Sequence, residues 1–221
     1  MAKKIDRTRI RSAVQNQRVI VVRTTNYLAS ERASIDEVLE VFLEEAELFE
    51  YRNKVAYCVH ELAANAQKGN TKRAYFHERG LNIHDERDYR RGMETFRRDT
   101  FDRVEHYIRV QRKLGLHLQL TFQIDGPEAR IGVTQNCGLT ATERGRIQEK
   151  LDLARRAESL VSAYDHAYDS YEGAGLGLVM TILMLRQIGL HDDVLEPEFR
   201  AGETRFSLRL RSMSAESRQT A

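Results

Sequence analysis

Tryptophan is absent from the 221 residues, and proline occurs only at Pro127 and Pro197. So little proline leaves room for long helices, since few positions lack the backbone N–H or clash with the preceding turn. Cysteine is scarce as well. Cys58 and Cys137 form no C-x-x-C pair, which argues against a disulfide framework and for reduced thiols in a cytoplasmic protein. No apolar run reaches the length of a membrane-spanning helix. The first residues, MAKKIDRTRIRS, have no apolar stretch behind their charges, so no signal peptide is expected. An excess of one charge is also missing. A net charge of +2 gives no reason to expect nucleic acid or a membrane surface as partner.

What is present is a succession of periodic segments. Residues 18–22, RVIVV, read as a buried strand. A helix near 35–47 follows, with Ser30 or Ser34 as its cap and Glu37 completing a capping box with Ser34. A second helix covers roughly 51–67 and is expected to stop at Gly69-Asn70. Residues 77–113 are charged and helical in pattern. Alternation at Leu116, Leu118, Leu120, Phe122 and Ile124 marks a strand, turned at 125–127 into an antiparallel partner at 130–134. Thr140 and Glu143 form another capping box and open a helix running towards Tyr164. A further helix near 178–188 and two short strands around 201–203 complete the chain.

These segments predict one α/β (α+β) domain over 17–211, a two-layer sandwich. Its mixed, mostly antiparallel sheet is covered on one face by helices, with an extra helical insertion at about 73–113. Residues 1–16 are expected to be a basic flexible stretch and 212–221 a disordered tail. The apolar stripe of the insertion suits a homodimer or partner interface, or packing on the domain's own sheet. His84, His106, His166 and His191 share no metal-ligand spacing. Cys137 reads as a small apolar filler rather than a reactive thiol.

Two segments carry chemistry. Glu61, Asn65 and Lys68 in HELAANAQKGN fall at i, i+4 and i+7, on one helix face. By itself such a column is a solvated face. It is also an acid, an amide oxygen and a cation in the row that a magnesium triphosphate requires. The second segment, YEGAGLGLVM, holds Gly173, Gly175 and Gly177 just before a helix, where unpaired N–H groups favour an anion and glycine lets it approach. It is not the dinucleotide fingerprint, because Leu178 stands where a third spaced glycine is needed.

Together, and in this order, the two segments resemble the N box and the second glycine box of the GHKL class of ATP-binding domains. That class includes histidine kinases, DNA gyrases and anti-sigma-factor serine kinases. The closing G-x-T-x-F-x-L-x-L, 202–210, is similar to the strand that ends this domain. The layout of strand, helix and N box is most similar to the anti-sigma kinases.

The resemblance implies ATP with magnesium as cofactor. It makes Glu61 the general base, Asn65 the magnesium ligand and Lys68 a phosphate contact, with Gly173, Gly175 and Gly177 the phosphate cradle. It implies a Ser or Thr of a regulatory protein partner as substrate. The departure is at V-T-Q-N-C-G-L, 133–139. Gln135 stands where the class has the adenine-binding Asp, and Cys137 and Leu139 replace its glycines. A neutral acceptor bonds roughly half as strongly as a charged one, and a lost partner costs about 1–3 kcal/mol. Weakened nucleotide binding is one expectation. A non-catalytic scaffold that binds a partner without ATP is the alternative.

Overall fold

Alternating apolar side chains build the sheet. The computed structural model describes residues 5–157, 176–189 and 194–211. Its strands are β1 (Ile20–Thr24), β2 (Leu118–Asp125), β3 (Glu128–Gln135), β4 (Leu195–Arg200) and β5 (Glu203–Arg211). They lie in the order β1-β2-β3-β5-β4. Each described pair is antiparallel, so the expected mixed sheet is antiparallel throughout these residues. Leu118, Leu120 and Phe122 of β2, Ile131 and Val133 of β3, and Leu208 and Leu210 of β5 point to one face and are buried there. Period-two patterning of this kind covers one side of a sheet and wets the other.

The helices of the described residues are α1 (Arg7–Gln15), α2 (Ala29–Glu45), α3 (Arg52–Glu78), α4 (Glu86–Phe101), α5 (Val104–Lys113), α6 (Ala141–Arg156) and α7 (Leu176–Arg186), with a 3-10 turn at Phe49–Tyr51. Ile35, Val38, Leu39 and Phe42 of α2, Val55, Val59 and Leu62 of α3, and Val179 and Ile182 of α7 join the strand side chains in one core. Phe42 meets Phe122 edge-on, with ring centroids 5.5 Å apart. The protein is therefore an α+β sandwich of a five-stranded sheet and a helical layer.

Four local expectations are corrected. The basic stretch at 1–16, expected to be flexible, contains α1, capped by Asp6 and seated on α2 through buried Ile10 and Val14. Arg7 and Arg11 bond to Glu40 and Glu44 of α2, but exposed pairs of this kind add little to the apolar contact. Helix α2 starts before both serines, at Leu28, which makes no side-chain cap. Ser34 instead donates to the carbonyl of Ser30, as a hydroxyl inside a helix does.

Helix α3 does not stop at Gly69-Asn70 but runs on to Glu78. Its far end, with α4 and α5, encloses a second small core of Ala74, Tyr75, Phe76, Phe96 and Tyr107. The insertion thus buries its stripe on the extension of α3, not on the sheet. The capping box of Thr140 and Glu143 is present at α6.

Candidate functional site

Helix α3 carries Glu61, Asn65, Lys68, Gly69 and Lys72 down one side, three or four residues apart. These side chains form one wall of a cavity of about 610 Å³. The end of β3 supplies Gln135, the first turn of α7 supplies Gly177, and α6 supplies Glu143, Arg146 and Lys150. Val133, Leu139, Leu178 and Phe206 give it apolar surface. Five of the residues singled out in the sequence, Glu61, Asn65, Lys68, Gln135 and Gly177, therefore face one space. Gly173 and Gly175 lie outside the described residues.

Close packing explains two glycines. The Glu61 carboxylate rests against Gly177: a Cβ there would come 1.6 Å from Oε1 and 2.2 Å from Cδ. Glu61 Oε1 also accepts from Asn65 Nδ2 at 3.2 Å. With its nitrogen turned to Glu61, Asn65 keeps its carbonyl oxygen as the group able to ligate a cation. At the other end a Cβ on Gly69 would come 2.4 Å from Gln135 Oε1. Glycine inside α3 is thus the condition for Gln135 to fit beside the helix, which accounts for the missing C-cap. Gln135 is 4% exposed, with its amide nitrogen 3.5 Å from the Cys137 carbonyl.

A buried ion cluster at the edge of the cavity centres on Glu143. Lys72, buried at 4% exposure, donates to it at 2.9 Å, and Arg73 donates to it and to the Gly138 carbonyl. Burial alone would raise the Glu143 carboxyl. The hydrogen bond from Arg73 and the charges of Lys72 and Arg73 outweigh it and hold the group at about 2. Glu143 is thus fixed as an anion that neutralises Lys72 and anchors the start of α6. Arg146 donates to the hydroxyl of Tyr89.

Cys137 sits behind this wall. Its thiol donates to Asn70 Oδ1 at 3.2 Å, and burial pushes it up to about 11. That environment suits a filler and not a nucleophile. His60, beside Glu61, faces elsewhere: its two ring nitrogens meet Tyr27 Oη and Asp36 Oδ1.

Sequence reasoning missed Lys72, Arg146 and Lys150. Lys68 with Lys72, and Arg146 with Lys150, stand at i, i+4 on their helices. That spacing was the available signal, but it is common on solvated faces. Among the described residues no cluster of three or more His, Cys, Asp or Glu side chains could hold a metal ion, and no helix is long and apolar enough to cross a membrane.

No family model matches the chain. No solved structure matches it. A protein of Treponema pallidum (strain Nichols), described as uncharacterized, is 37% identical over 190 residues, covering 86% of this chain and 37% of the relative. The chain thus spans little more than a third of that protein's length.

Proposed function

We propose that the cavity binds a magnesium nucleoside triphosphate, ATP before others, and that the domain is a signalling regulator similar to the anti-sigma serine kinases. One observation carries the reading. Three segments far apart in sequence, 61–68, the end of β3 and the start of α7, line a single cavity with an acid, an amide, a lysine and a close-packed glycine. Its volume falls in the range of ordinary ligand sites.

The residues present fit such a ligand. Lys68, Arg146 and Lys150 supply positive charge for phosphate oxygens. Asn65 offers one neutral oxygen, which suits magnesium, an ion that keeps most of its shell as phosphate and water. When bound, magnesium and the triphosphate supply the activated phosphoryl group. In this reading Glu61, which lines the cavity, accepts the proton of a Ser or Thr hydroxyl brought by a partner.

The base end supports weaker binding than a carboxylate would give. Gln135 offers a neutral amide whose oxygen packs on Gly69, and Leu139 adds bulk beside it. That wall is also the observation favouring the second reading, a scaffold of the same fold that binds a partner without nucleotide.

Titration calorimetry with ATP, ADP and GTP, with and without magnesium, separates the two. The nucleotide reading expects magnesium-dependent binding of ATP that weakens in Lys68→Ala. Absence of any heat at millimolar nucleotide overturns it.

A further inference from the structure

Beside the cavity, on the adjoining flank of α3, lies a second groove of about 570 Å³. Its floor is α3 with Met93, Phe96 and Ile108, and its far lip is the start of α2. Lys68 stands on the ridge between the two and lines both. We propose that this groove is the docking surface for an acidic amphipathic helix of a protein partner.

Two observations carry the proposal. First, the groove keeps apolar side chains in water at its rim. Phe101 is 79% exposed, Val104 44% and Leu28 41%. Side chains of this size clustered around a concavity mark an interaction site rather than ordinary surface.

Second, its charge is of one sign. The charged side chains lining it are Arg32, Lys68 and Arg97, with no Asp or Glu among the described lining residues. Arg32 lies over the ring of Tyr27, on the lip. An occupant that sets acids against this rim and leucine-like side chains against the floor matches both properties, the helix-in-groove mode of recognition.

The same charges argue against a second copy of this chain. A twofold dimer brings one patch onto itself, which would set Arg32, Lys68 and Arg97 against their own copies.

The test uses two fluorescent model helices that share one leucine face, one flanked by glutamates and the other by lysines, titrated by anisotropy. The glutamate helix is expected to bind the full chain about tenfold tighter or more. The order of preference is expected to reverse in the Arg32→Glu, Arg97→Glu double variant. Phe101→Ser, at a site too exposed to disturb folding, is expected to weaken the glutamate helix at least about fivefold. Equal binding of the two helices, no binding of the glutamate helix, or an order unchanged by the charge reversal overturns the proposal. So does a concentration-dependent dimer in sedimentation that Phe101→Ser abolishes.

Discussion

At Gly177 a single missing Cβ decides where a carboxylate sits. The atom would overlap Glu61 Oε1, the mobile end of a partly exposed side chain. Gly177→Ala is therefore expected to push Glu61 aside rather than unfold the protein. Alanine is the better helix former by about 1 kcal/mol, so the melting temperature should hold or rise slightly. Phosphoryl transfer to a partner hydroxyl, which needs Glu61 as base, should fall by about a hundredfold or more, while nucleotide affinity by calorimetry holds. A melting temperature lowered by many degrees would show instead that Glu61 is locked in place. Gly69 differs in kind. Its neighbour Gln135 is enclosed, so there the substitution competes with buried packing. The sequence displayed both glycines, yet only the coordinates distinguish them. Gly177 stands out in the sequence because glycines before an apolar helix favour an approaching anion, whereas in the structure it makes room for the Glu61 side chain. Gly69 was misread as a stop because the same letter ends helices and admits close neighbours.

Among the elements, α6 depends on one side chain. Glu143 completes its capping box through the Thr140 backbone and also holds Lys72 and Arg73. Glu143→Gln leaves two largely buried cations without their anion, a loss of about 3–5 kcal/mol. The pH dependence has a definite sign. Glu143 titrates at about 2 in the folded chain, below its ordinary 4.5. Its contribution is whole above about 4.5 and is lost as pH falls through that window towards 2. Urea midpoints of the parent and Glu143→Gln should differ most near neutrality and converge as the buffer is taken below pH 4.5. A constant gap would mean that the carboxylate's charge is not what stabilises α6. The capping box itself was legible from Thr140 and Glu143 alone, because its bonds are local. The ion cluster was not, since Lys72 and Arg73 lie some seventy residues away in sequence. Helix α1 escaped notice for a related reason: only Ile10 and Val14 mark its buried side, and charge dominates the rest.

At the scale of the molecule, the described residues form two cores of unequal size joined by one helix. The N-terminal half of α3 belongs to the large core under the sheet, and its C-terminal half to the small aromatic cluster with α4 and α5. The strand pattern made the sandwich readable, since alternation needs only one buried face. The division of α3 between two cores left no mark in its periodicity, which continues unbroken past Gly69. Stability should follow the division. Five buried residues hold the small cluster, too little apolar area to match the large core, and units of this kind open at lower free energy than the whole. Native-state hydrogen exchange is therefore expected to show α4 and α5 opening together, before the amides of β2 and β3 do. The end of α3 beyond Gly69 should exchange with them. Phe96→Ala should lower that local opening further while leaving the exchange of β3 unchanged, because Phe96 belongs to the small cluster and not to the large core. If α4, α5 and β3 instead exchange at one common free energy, the two cores fold as a unit. A helix docked in the groove between α2 and α4 would then have to strain the sheet as well. If they exchange separately, the α4 and α5 side of the groove belongs to the softer part, and a partner can remodel that side without disturbing the strands.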